Sequence, residues 1–412
     1  MRVPAVPPRL AGPRLGGARL AGPRLAESGL TEPRLAELRH VYACSDIHTD
    51  HEENMAWVRA LDDGRYRSDV LLVAGDVSNG LSTFCETMET LTSAFGLVFF
   101  VTGNHDLWMW SDDAQRLSHR PYEHSLEKLE RIEDVCDGLG VLTTAQSVQL
   151  RSGRIKIAPL ISFYHTQFDT EPSVTAFRMP SVKAAVTDYR KCRWPAPYET
   201  GTLELAEHFD ARNVRQQQRA AGQAARHPAL RPLNSWDEVR ATGRGAAGGA
   251  AGGAARSAAA GGSSRNEPLL SFSHFLPRIE LCPEKRFLMY GDLMKVVGSE
   301  PLGRRVAQLQ PDVHLFGHTH FGWDAELDGV RYVQAALGTP RERAWRMRSL
   351  GYGGIEQRPV RIFDGKTGDF CPRRHASWSA YYEANPRNPS NVEPAPWVKA
   401  RYSRRVRESR KS

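Results

Sequence analysis

Between residues 41 and 140 short apolar runs alternate with amphipathic stretches. "VYACSD" (41–46), "DVLLVAGD" (69–76) and "LVFFVTGN" (97–104) have strand length, and each ends in Asp or Asn. Between the last two, Phe84, Met88, Leu91 and Phe95 recur at spacings of 4, 3 and 4, the repeat of a helix face. In "HSLEKLERIEDVCDGLG" (124–140), Leu126, Leu129, Ile132 and Cys136 share a face and glycines close the segment, which predicts a second helix. Apolar strands alternating with helices predict an α/β fold with a sheet covered by helices. After 140 the pattern changes. "VLTTAQSVQL" and "RIKIAPLISFY" are strands with no helix between them, a hairpin turning near Ser152-Gly153. Ordered sequence resumes at 269–277, and 312–320, 330–337 and 359–364 are further strands.

Composition marks what does not pack. Residues 11–35 repeat every five residues with recurring proline, a period of neither helix nor strand, and read as disordered. The start is Arg-rich like an organelle transit segment but almost serine-free, so a plain disordered extension is preferred to organellar targeting. Residues 212–265 are Arg/Gln/Ala-rich and then Gly/Ala-rich, and read as a low-complexity insert. The expected organisation is therefore a 1–38 extension, a domain over 39–370 interrupted by 212–265, and a basic extension over 371–412. The net charge of +8 is uneven: residues 1–40, 212–265 and 395–412 carry +17 together, leaving −9 for the body. An acidic body weakens any inference from overall charge to nucleic-acid binding. Six scattered cysteines without a CxxC suit a reduced, intracellular and cytoplasmic protein. No apolar run reaches about 18 residues, so no membrane span is expected.

Chemistry gathers where strands end. Asp46-x-His48, Gly75-Asp76, Gly103-Asn104-His105, Ser273-His274 and Gly317-His318-Thr319-His320 each follow an apolar run. Ligand sites of α/β sheets lie outside the carboxyl ends of strands. Any one motif alone reads as a turn or a core histidine. Two carboxylates, one amide oxygen and four imidazoles together do not, because burying them unpaired is costly. Seven ligands exceed one transition-metal ion and suit two ions sharing a carboxylate. Oxygen and imidazole donors without thiolate favour divalent or trivalent Mn, Fe or Zn over Mg or Ca. Two such ions form a clamp for in-line displacement at phosphorus by a bridging hydroxide.

These five motifs, in this order, resemble the calcineurin-like metallophosphoesterase family over roughly 41–110 and 269–340. The resemblance implies a four-layer α/β/β/α sandwich, here with disordered tails and the insert. It implies that Asp46, His48, Asp76 and His320 bind one metal, and that Asp76 as bridge, Asn104, His274 and His318 bind the other. It implies that His105 ligates no metal but faces the substrate and protonates the leaving oxygen. One departure stands out. In the phosphoprotein-phosphatase branch the second motif continues from Gly-Asp to an acid and an arginine, whereas this chain reads "GDVSNG" with Asn79 and Gly80. The carboxylate that orients the imidazole is missing there; Asp106 either replaces it or caps the next turn. The chain looks closer to single-domain members of unassigned substrate.

Secondary candidates carry plain readings beside the functional ones. Trp108, Trp110 and Trp323 wall a pocket or, as preferred, pack under loops. Asp50 and Asn54 support a histidine or cap a helix. His165 approaches the site or lies on the surface. Arg341 and Arg343 hold substrate phosphate or are solvated. The leading expectation is a dimetal phosphohydrolase of a phosphomonoester or phosphodiester, with no protein partner assigned. The alternatives are a nuclease, which lacks a basic groove in the body, and a non-catalytic scaffold, which would have lost ligands.

Overall fold

The computed structural model describes residues 37–110, 122–177, 179–240, 267–349 and 358–409. The five-residue repeat and the glycine-rich part of the insert lie outside them.

The strands are β1 (His40–Cys44), β2 (Val70–Ala74), β3 (Leu97–Val101), β4 (Gln146–Leu150), β5 (Gly153–Pro159), β6 (Leu230–Pro232), β7 (Leu269–Phe272), β8 (Val313–Phe316), β9 (Trp323–Leu327), β10 (Val330–Gln334), β11 (Val360–Asp364) and β12 (Asp369–Phe370). They form a five-stranded sheet ordered β12-β11-β1-β2-β3 and a seven-stranded sheet ordered β6-β4-β5-β7-β8-β10-β9. β1, β2 and β3 are parallel in the first; β5, β7, β8 and β10 are parallel in the second. Alternation along each strand builds the layers. Val41, Ala43, Leu72, Phe99, Ile155, Ile157, Leu270, Val313 and Leu315 meet between the sheets. Leu71, Val73, Val98 and Phe100 face outward onto helix Leu81–Ala94, through Phe84, Met88 and Leu91, and helix Ser125–Leu139, through Ile132 and Cys136. Ala158, Leu269 and Phe316 face the other way, onto helices Leu203–Gln217 and Glu300–Leu309. The result is the expected α/β/β/α layering of two sheets between helices.

Two expectations are corrected. The insert does not begin at 212. Residues 203–217 form a helix, and 220–224, 230–232 and 236–239 are also ordered. Its buried face runs Leu205, Phe209, Asn213, Gln217, so apolar spacing continues in amides. Asn213 accepts from Ile161 N at 2.9 Å and donates to Ile161 O at 2.9 Å, and Gln217 accepts from Ala145 N at 3.0 Å. Arg212 and Arg219 pair with Glu133 of helix 125–139 at 3.0 Å each, so these charges belong to the fold. The basic C-terminal extension is likewise packed in its described part. Helices Ser377–Ala384 and Pro396–Ser409 bury Trp378, Val398 and Tyr402 in the main core. Its apolar residues are widely spaced among prolines and charges, which hides the pattern. Among the described residues no helix is long and apolar enough to cross a membrane. All six cysteines are free.

Candidate metal centre

The carboxyl ends of the parallel strands of both sheets come to one place. Ser45 N donates to Ala335 O at 3.1 Å, and Leu337 N and Gly338 N donate to Ser45 O and Asp46 O at 2.9 Å each, so the segments after β1 and β10 are sewn together across the two sheets. Asp46, His48, Asp76, His318 and His320 all adopt positive φ, between 46° and 71°. Non-glycine residues rarely do so, and such strain gathers at functional sites. Gly103 is required by contact: a Cβ there would land on the Asp76 carboxylate and lie 2.6 Å from Asp76 N.

Two groups of donors result, both containing Asp76. In the first, His320 Nε2 lies 3.1 Å from Asp46 Oδ1 and 3.2 Å from His48 Nε2, and His48 Nε2 lies 4.0 Å from Asp76 Oδ2. In the second, His274 Nε2 lies 3.4 Å from Asp76 Oδ2, 3.2 Å from His318 Nδ1 and 3.1 Å from Asn104 Oδ1. Each group could hold a metal ion.

The second group passes a test of fit. His274 Nδ1 sits 3.0 Å from Ala74 O and His318 Nε2 sits 2.9 Å from Val296 O. A carbonyl can only accept, so those nitrogens carry the protons. Asn104 Nδ2 donates to Asp188 Oδ1 at 2.9 Å, which turns its oxygen inward. Nε2 of His274, Nδ1 of His318 and Oδ1 of Asn104 therefore present lone pairs to one another within 3.2 Å and no proton lies between them. A cation among them would satisfy that arrangement.

Electrostatics agree. Burial pushes His48 and His274 down to about 3, with His320 reinforcing the first and His318 the second, so both imidazoles are neutral and able to ligate. Burial would raise Asp46, but His320, His274 and His48 outweigh it and hold its carboxyl below the usual range. Burial, with Asp106 and Asp46 nearby, raises Asp76 well above it. His320 is raised to about 10, because Asp46 and Glu342 outweigh its burial. Without an ion, a proton on His320 stands where a cation would.

His105 lies over this cluster, its ring 4.7 Å from that of His48 and stacked on Trp108 at 3.7 Å. Its Nδ1 meets Asn79 Oδ1 at 2.8 Å. The amide in "GDVSNG" thus partners the imidazole. Asp106 does not: its carboxylate accepts from Gly103, Asp76, Val77 and Ser78 amides at 2.8–3.1 Å and caps the loops. Asp50 accepts from Asn79 N at 2.9 Å and Ser78 Oγ at 3.0 Å, fixing Asn79. Asn54 donates to the carbonyls of Ile47 and Gly338. Burial and neighbouring imidazoles hold His105 well below its ordinary value.

The other candidates divide. Trp323 is buried core, Trp110 is exposed under Lys191, and Trp108 does more than pack, since it flanks His105. His165 is neither in the site nor on the surface: it is buried and accepts from Glu300 N at 3.0 Å, at the start of helix 300–309. Arg343 donates to Gly338 O at 2.7 Å, so it braces the loop, while Arg341 lines a nearby recess. Three supporting residues escaped the sequence reading. Asp188 orients both Asn104 and the Trp108 indole, the latter at 2.7 Å. Glu342 accepts from His320 Nδ1 at 2.8 Å. Lys128, 1% exposed, donates to the carbonyls of Asn79 and Trp108 at 2.6 Å each. A signal for Lys128 existed, because it lies four residues before Ile132 on the buried face of its helix.

Residues 39–179 match the calcineurin-like phosphoesterase family model. The chain is 23% identical over 317 residues to [Acyl-carrier-protein] phosphodiesterase PptH of Mycobacterium tuberculosis, covering 75% of this chain and 80% of that protein. The crystal structure of Phosphopantetheinyl Hydrolase (PptH) from that organism aligns with a TM-score of 0.47 at 23% identity, covering 76% of this chain and 93% of that one. TT1561 of Thermus thermophilus aligns at 0.33 and 11% identity, over 73% of this chain and 89% of that one.

Proposed function

Taking the chain as a calcineurin-like phosphoesterase, a hydrolase acting on phosphoric esters, we propose that it is a dimetal phosphodiesterase. The observation that carries the metal reading is the set of three proton-free lone pairs on Asn104, His274 and His318, beside a second group that shares Asp76. Asp46, His48, Asp76 and His320 hold one ion, and Asp76, Asn104, His274 and His318 the other. The donor set suits Mn, Fe or Zn. When bound, the ions supply charge to the phosphoryl oxygens and acidify a water. The phosphodiester is preferred to a phosphomonoester because the PptH relative is named for one. Free cysteines accord with a reducing, intracellular setting.

The residues around the ions do the remaining work. Asp46 and the neutral imidazoles would meet two cations without prior proton loss, whereas Asp76 and His320 would release protons as the ions bind. His105 faces the ester and gives a proton to the leaving oxygen. The Asn79 amide oxygen accepts from His105 Nδ1, so the uncharged ring turns its Nε2 lone pair toward the ester, and the proton it gives to the leaving oxygen would be one first taken up at Nε2. A carboxylate would favour imidazolium there. Trp108 and the Lys128-held carbonyls keep the ring in place.

The test loads full-length protein with Mn, Fe or Zn and compares bis(p-nitrophenyl) phosphate, p-nitrophenyl phosphate and a phosphopantetheinylated carrier protein. We expect turnover of the diesters over the monoester, and none in Asp76→Asn. Absence of both turnover and bound metal by elemental analysis would refute the reading. Monoester preference would refute its phosphodiester part.

A further inference from the structure

Beside the metal centre lies a recess of about 530 Å³ that the chemistry above leaves unused. Arg341, Ala344 and Trp345 line it from helix Pro340–Ser349, at spacings of 3 and 4 that place them together. Met289 and Arg401 close it, the latter from the C-terminal helix Pro396–Ser409. Glu342 also lines it, and the same carboxylate bonds His320 Nδ1 at 2.8 Å. The recess therefore begins one residue away from the metal cluster.

Its walls are held in place. Glu342 accepts from Thr339 N and Thr339 Oγ1 at 3.0 and 2.9 Å, and Arg343 ties the same turn to Gly338 O. On the other side Tyr402 donates to Met289 O at 2.9 Å and stacks on Phe177 at 4.4 Å, which anchors the residue next to Arg401. Among the described residues neither Arg341 nor Arg401 is paired with a carboxylate. Trp345 is 51% exposed. Two guanidinium groups lining one recess form a site for phosphate, because their planar forks match phosphate oxygens. The volume is that of a small-molecule site.

We propose that this recess is a second substrate subsite. It binds a phosphate-bearing group of the ester whose scissile phosphorus lies at the metal centre, and the C-terminal helix completes it through Arg401. This rests on the phosphoesterase reading above and extends it to specificity.

The test uses metal-loaded full-length protein and bis(p-nitrophenyl) phosphate as reporter. Inhibition by adenosine 5′-(α,β-methylene)diphosphate is compared with inhibition by phenylphosphonate, which offers a single anionic group. In wild type the diphosphate should inhibit at least about tenfold more tightly. Arg341→Gln and Arg401→Gln should each erode that advantage by about tenfold, the loss expected for one charge-assisted contact, and Arg401→Lys should retain part of it. Thermal melting identifies any variant that fails to fold. The proposal is overturned if wild type shows no advantage, or if the double variant keeps it in full. If wild type does not turn over the reporter, the catalytic reading fails, and calorimetric titration with the same two compounds decides the recess by the same ratios.

Discussion

A neutral amide holds the imidazole in this site, and that one residue shapes its acid–base chemistry. Asn79 meets His105 Nδ1 at 2.8 Å where the protein-phosphatase branch has a carboxylate. Burial and neighbouring imidazoles hold the His105 imidazole well below its ordinary value, so the ring rests uncharged until Nε2 takes up a proton. Asn79→Asp places a negative charge on the ring and raises its pKa. The ring then keeps its Nε2 proton to higher pH than in wild type, so the basic limb of kcat/KM against pH should move upward; an unmoved limb would count against this role. His105→Ala should keep both metals by elemental analysis and lose turnover by about 100-fold or more. Loss of the metals would mean that the imidazole is itself a ligand. Lys128 acts through others, as a positioning residue. Its ammonium fixes the carbonyls of Asn79 and Trp108, the two residues that grip His105. Lys128→Met should lower kcat by about tenfold with KM nearly unchanged, since only the alignment of the ring is lost. The sequence made Asn79 conspicuous as a departure. It could not say whether Asp106 replaced the missing carboxylate, because that depends on which loop lies within reach.

Strand ends were the most legible elements. Each of β1, β2, β7 and β8 is followed within two residues, and β3 within three, by a member of the cluster, as the pattern of apolar run, turn and polar residue predicts. Helix 81–94 and helix 125–139 follow from the 3.6-residue repeat. Helix 203–217 is hidden from the apolar repeat because two of its five buried residues are amides. Those amides serve as hydrogen-bond partners for main chain that no neighbouring strand satisfies. Asn213→Leu keeps the bulk but orphans Ile161 N–H, and should cost about 2–3 kcal/mol in denaturant unfolding. A loss near zero would show that the polar face is dispensable.

At the scale of the whole molecule, the C-terminal extension is part of the body. Removing 385–412 strips Ala395, Val398 and Tyr402 from the main core. It also breaks the bonds of Arg387 to Glu171 and to Cys282 O. The truncated chain should melt at least several degrees lower than the full chain, as loss of buried apolar side chains requires. An unchanged melting temperature would mean that these contacts carry no stability. What the sequence determined alone is local: apolar runs of strand length, the helix repeat, and the polar residues Asp46, His48, Asp76, Asn104, His274, His318 and His320 just after strand ends. Adjacency along the chain suffices for these, since a residue after a strand must emerge at its end. The partners of those residues were decided by tertiary structure. Asp188 bonds Asn104, Glu342 bonds His320, and Lys128 holds the carbonyls of the two residues beside His105, and only the packing of the sheets and their covering helices brings these segments together.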